Sequence, residues 1–173
     1  MGRALRLAVK KEAHALRAVI VVGMRKQAPG GAAFKPLSAL TLAARRLAGF
    51  RGRKALIRGG DLRNSITVVA KGDVAFVGVP RSAGKERIKI AHVHEYGTDP
   101  IIIPITPRMR RFLAMLFRKA SRKRKRSSRR GNGSGVVVVQ IPARPFLRPA
   151  FEAWKRGVDL RIANSIRAQM GWK

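Results

Sequence analysis

The sequence predicts an α+β fold: a small antiparallel sheet packed with long N- and C-terminal helices, plus a central helical insertion and a flexible basic loop. Three observations carry that expectation. Apolar residues recur at helical spacing near both ends, as Leu5, Val9, Leu16 and Ile20 and as Phe151, Trp154, Val158, Ile162 and Ile166. Between them, two β-branched runs flank a tight Lys71-Gly72-Asp73 turn. From Arg118 to Arg130, nine of thirteen residues are lysine or arginine.

Each element follows from local chemistry. Arg3 to Val22 holds no Gly or Pro and sets its basic side chains on other faces than its apolar ones, which suits an amphipathic helix. Gln27-Ala-Pro-Gly-Gly31 breaks it, and Ser38 can cap a second helix, Ala39 to Ala48, that Gly49 ends. After a Gly- and Arg-rich stretch over 49–60, Asp61 can cap a single turn. Ser65 to Ala70 and Val74 to Val79 then form a hairpin that Pro80 closes, since proline cannot donate to a ladder. Ile88 to Tyr96 reads as a short helix closing at Gly97. Prolines bracket Ile101-Ile-Ile103, which fits an edge strand. Thr106 caps, and Pro107 opens, a helix through Phe112, Leu113, Leu116 and Phe117. Residues 118–135 have charge and glycine but almost nothing to bury, so a mobile basic loop is expected there. Val136 to Ile141 is a strand by composition, and Pro142-Ala-Arg-Pro145 turns it into the last helix.

The balance of charges narrows the function. With 39 Lys+Arg against 8 Asp+Glu the net charge is +31, while 46% of the 173 residues are apolar. An ordinary neutral enzyme and a wholly disordered tail are both excluded as defaults, and a single domain over 1–173 is expected. Such a charge calls for an anionic neighbour: nucleic acid, an acidic protein surface or anionic lipid. The run Ala18 to Gly23 is far too short to span a bilayer, so no membrane partner is expected. Charged residues interrupt any signal-peptide core, and the mature chain is expected to start at Met1 or Gly2. No cysteine is present, which removes disulfides and thiol chemistry.

Catalytic constellations are equally sparse. His92, His94 and Glu95 could supply metal ligands, but residues two apart diverge on a helix, so a structural or surface pair is the stronger reading. The eight carboxylates offer no close pair for a two-metal nuclease, and Gly59-Gly60 lacks the Lys-Ser/Thr of a P-loop. Neither an enzyme, a cofactor nor a metal is expected. DNA-contact candidates are Arg118, Lys119, Arg122, Lys123, Arg124, Lys125, Arg126, Arg129 and Arg130, whose phosphate contacts would be strongly salt-dependent. That tract holds no aromatic residue, and no base-reading motif is present. A solvated face or a segment docking on an acidic protein would carry the same pattern.

Three segments together resemble the phage virion-morphogenesis family typified by Mu-type tail completion proteins. They are Ala55 to Ile66, the run Ala91-His-Val-His-Glu-Tyr-Gly-Thr98, and Ile141-Pro-Ala-Arg-Pro-Phe-Leu-Arg-Pro149. The order and spacing follow the family over about residues 36–152, and Ile105 to Ala114 resembles its central helical insertion. The matching motif residues are Asp61, Tyr96, Gly97, Thr98, Pro142, Arg144, Pro145 and Phe146. Physically they read as structural: Gly97 turns a helix end, and the two prolines deliver Phe146 and Leu147 into the core. Arg144, held between prolines, is expected to pair with Asp61, Glu95 or Asp99, within the subunit or across to a neighbour. The resemblance implies a structural component of the virion at the head–tail junction or tail top, made in the host cytoplasm. It further implies a homo-oligomeric ring of six around the DNA channel, with other neck, connector or tail proteins and genomic double-stranded DNA as partners. A nonspecific nucleic-acid-binding or packaging protein acting without a ring is the alternative.

Overall fold

A computed structural model describes residues 2–120 and 135–171 of the chain. The longest element is helix α1, Gly2–Lys26, whose buried side chains Leu16, Ile20 and Met24 organise the core. Helix α2, Ala39–Leu47, starts where the sequence predicts: the Ser38 side chain accepts the Thr41 N–H at 3.2 Å. Asp61 sits one position later than expected. Gly60 occupies the cap of the single-turn helix α3, Asp61–Asn64, and Asp61 is its first helical residue, with no side-chain cap bond.

Strands β1, Thr67–Lys71, and β2, Val74–Gly78, form the predicted hairpin, with Lys71 opposite Val74 across the turn. Its inner side lies on α1, where Val77 packs on the core. Helix α4, Lys85–Tyr96, follows, and buries Ala91. Strand β3, Ile101–Pro104, pairs antiparallel with β4, Val136–Val139, aligning Ile102 with Val138. The strands thus make two separate two-stranded sheets rather than one. Four-residue strands with proline at one end expose too little ladder to extend onto the first hairpin.

Between β3 and β4 comes α5, Pro107–Ala120, begun by the expected Thr106 cap, whose hydroxyl accepts the Met109 N–H at 3.2 Å. This helix corrects the basic loop at one end, because Arg118 and Lys119 form its last turn instead of belonging to a loop. Gly135 corrects the other end, since its carbonyl accepts the Ile105 N–H at 2.9 Å and joins the β3–β4 ladder. The remainder of the expected loop, 121–134, lies outside the described residues.

The last helix is interrupted. Helix α6, Arg148–Trp154, and helix α7, Val158–Met170, meet at Gly157, whose φ of 68° and ψ of 19° suit glycine best. Arg161 fastens the break. It donates to the Trp154 and Arg156 carbonyls at 2.8 Å each, and to Glu12 of α1 at 3.0 Å. Glu12, nearly buried, is thereby compensated, and α7 is pinned along α1. The core closes with Ala55, Leu56, Leu62, Ile66, Phe146 and Ala150 packed on α1.

Candidate functional site

Two of the three sequence motifs meet in space. The carboxylate of Glu95, in the last turn of α4, accepts the backbone N–H groups of Phe146 and Leu147 at 2.9 and 3.0 Å on one oxygen, and that of Arg148 at 2.9 Å on the other. These donors lead into α6, which has no side-chain cap of its own. Thr98 completes the clamp: its N–H donates to the Ile141 carbonyl and its hydroxyl accepts the Ile141 N–H, both at 3.0 Å. The Arg144 N–H donates to the His94 carbonyl at 2.7 Å.

Gly97 lets the two segments approach this closely. Its φ of 83° and ψ of −171° lie in a region almost reserved for glycine, and a Cβ there would stand 3.0 Å from the Ala143 nitrogen and 3.1 Å from the Ile141 oxygen. The helix ends at Gly97 as the sequence predicts, but with ψ extended rather than in the left-handed turn expected there. Tyr96 beside it points outward, 70% exposed, its ring against His92 at 4.7 Å between centroids. His92 is therefore a surface partner of Tyr96. Among the described residues no group of three or more His, Asp or Glu side chains could hold a metal ion.

Phe146 is fully buried, as Pro142 and Pro145 lead one to expect. Within the subunit, Arg144 departs from expectation. It pairs with none of Asp61, Glu95 and Asp99; its guanidinium donates to the Lys35 carbonyl at 2.9 Å and the Pro36 carbonyl at 3.3 Å. The reason is geometric: Glu95 is already engaged by three backbone N–H groups, and the 35–36 carbonyls lie where Arg144 is aimed. Arg144 thus tethers the α1–α2 connection to the turn before α6, and no carboxylate among the described residues pairs with its charge.

Arg144 opens onto a cleft of about 640 Å³ between residues 36–45, 56–62, α4 and the end of β4. Arg45 and Arg58 share its wall. Arg45 donates to the Gly52 and Lys54 carbonyls, and the Arg58 guanidinium lies 4.5 Å over the Phe50 ring. Burial foremost, then the charges of Arg58 and Arg144, holds the Arg45 pKa below its usual value. Burial likewise lowers that of Arg144. His94, on the same wall, is held below the ordinary imidazole range by burial, then by Arg144 and Arg45, and its buried Nδ1 has no hydrogen-bond partner among the described residues. Sequence reading misses Arg45 and Arg58, which are unremarkable in a chain with 39 basic residues. It names Glu95, but for other roles.

A second surface is apolar. Ile102 and Val138, opposite each other across the β3–β4 ladder, are 66% and 60% exposed, and Val136 beside them is exposed too. Phe112 and Met115 of α5 are also left uncovered. No described helix is long and apolar enough to cross a membrane.

The family model described as the phage virion morphogenesis family matches residues 3–170, almost the whole chain. No curated protein and no solved structure matches it.

Proposed function

Since the chain belongs to the phage virion morphogenesis family, and so is a virion-associated protein with a structural role in phage assembly, we propose that it is a Mu-type tail completion component of the neck. Copies assemble as a ring of six at the head–tail junction, around the channel through which DNA passes, in contact with connector or tail proteins. The observation that carries this reading is the exposed apolar ribbon of Ile102, Val136 and Val138. An exposed β-branched ribbon is a ready surface for another subunit, and head-to-tail contacts between unlike faces form a ring when their rotation closes. The +31 charge supports a place beside the genome, whose phosphates would offset the mutual repulsion of the subunits. No step of chemistry is required of it.

Light scattering after size exclusion tests the ring. Wild type should run as a multimer, and Ile102→Asp as a monomer with an unchanged melting temperature. A wild-type chain that stays monomeric at high concentration, with and without duplex DNA, overturns the ring. It would then favour the second reading, a nonspecific nucleic-acid-binding or packaging protein, for which the tract over 118–130 speaks.

A further inference from the structure

We propose that the arginine-walled cleft seats an acidic, extended segment of a partner protein, its carboxylates on Arg45, Arg58 and Arg144 and its aliphatic side chains on the cleft walls. The proposal goes beyond the ring and stands without it.

Charge is the first argument. None of the three guanidinium groups has a carboxylate within ion-pair distance among the described residues, and Asp61 is the only acidic residue lining the cleft against them. Three cations gathered in one recess repel each other, and an incoming carboxylate relieves that repulsion. Arginine offers a planar fork suited to carboxylate, and each of these side chains is already oriented, by backbone carbonyls or by the Phe50 ring, so little freedom is lost on binding.

Shape and lining decide which anion. Arg144 is only 7% exposed, recessed below where a stiff duplex could lay its phosphates. A single strand would need aromatic platforms for its bases, and no Phe, Tyr or Trp lines the cleft. The walls are aliphatic instead, with Leu37, Leu56, Leu62, Ile90 and Ile141 among them, which suits a chain alternating acidic and aliphatic side chains. This protein cannot supply such a segment to its own copies. Its closest carboxylates on either side of the cleft motif, Glu95 and Asp99, are four residues apart, and Glu95 is committed to α6. The occupant is therefore a different protein.

The test is fluorescence anisotropy at physiological salt, with a short labelled peptide alternating glutamate and leucine, its glutamine counterpart, and a labelled DNA duplex. Wild type should bind the glutamate peptide about tenfold or more tightly than the glutamine one. Arg58→Gln and Arg45→Gln should each weaken it several-fold, whereas Arg45→Lys, which keeps the charge but not the planar fork, should weaken it less than Arg45→Gln does. Arg3→Gln with Arg6→Gln, on α1 outside the cleft, should change it less than about twofold. Melting curves identify any variant that fails to fold, and Arg58→Gln breaks no backbone bond. The proposal is overturned if wild type does not bind the glutamate peptide, or if the Arg3 and Arg6 changes weaken it as much as the cleft changes do. It is equally overturned if the cleft changes weaken duplex binding as much as peptide binding, which would assign the cleft to nucleic acid.

Discussion

Glu95 caps the chain entering α6 from 51 residues away, its Oε2 accepting the Phe146 N–H at 2.9 Å while Leu147 and Arg148 bind the same carboxylate. Proline at 145 and apolar side chains at 146 and 147 leave α6 without a local oxygen to satisfy its first N–H groups. A negative charge there also complements the positive end of the helix. Glu95→Ala should cost about 2–3 kcal/mol, because backbone donors lose a charged acceptor in a partly buried place. Glu95→Gln, which keeps the shape but not the charge, should cost about 1 kcal/mol. Urea denaturation of both variants checks the order.

Phe146 is the core anchor that this cap positions. It is fully buried against Leu16, Ile20 and Ala150, so Phe146→Ala removes a ring from a closed core and should cost about 3–5 kcal/mol. Thermal melting reads the loss directly. A near-neutral result would mean that the core closes around the gap.

Much of this was legible in the sequence where the signal is local. The hairpin from Thr67 to Gly78 follows from β-branched residues around Gly72, and the α2 and α5 starts follow from Ser38 and Thr106. What depended on distant partners was not. Glu95 reads as one more helical acid because the groups it satisfies lie past Thr98, β3, α5 and β4. Arg144 looks fit for a carboxylate, but two free carbonyls of the 35–36 segment, which no periodicity marks, take its donors. Strands β3 and β4 are each readable, but their pairing with one another, apart from the hairpin, is set by long-range geometry. The apolar spacing from Phe151 to Ile166 runs on through Gly157 and predicts one last helix, whereas the structure breaks it there.

His94 makes stability depend on pH. Burial, then Arg144 and Arg45, lowers its folded pKa, so the folded chain resists a proton that the unfolded chain takes up near pH 6.5. Between that ordinary value and the lower folded one, the unfolded state binds more protons, and stability falls as pH falls. Above about pH 6.5 the contribution is fully present; below the folded pKa the loss levels off. Melting temperatures from about pH 7.5 to 5.5 should decline for wild type, and less steeply for His94→Gln. Equal slopes would show that the imidazole titrates alike in both states.

The basic tract is tested by salt. Nine of the residues from 118 to 130 are cationic, and the chain carries no base-reading motif, so any duplex affinity from this tract rests on phosphates. Each phosphate neutralised releases condensed counterions and adds about −0.9 to the slope of log affinity against log salt. Reversing Arg122, Lys123, Arg124 and Lys125 to glutamate should therefore flatten that slope by about three to four units, without altering any preference among base sequences. Duplex titrations at several salt concentrations, wild type against the reversed variant, give the two slopes. Equal slopes would mean that other faces of this +31 chain supply the phosphate contacts. The tract would then be free to meet an acidic surface of a neighbouring virion protein, a role in which the same reversal weakens assembly while leaving DNA binding intact.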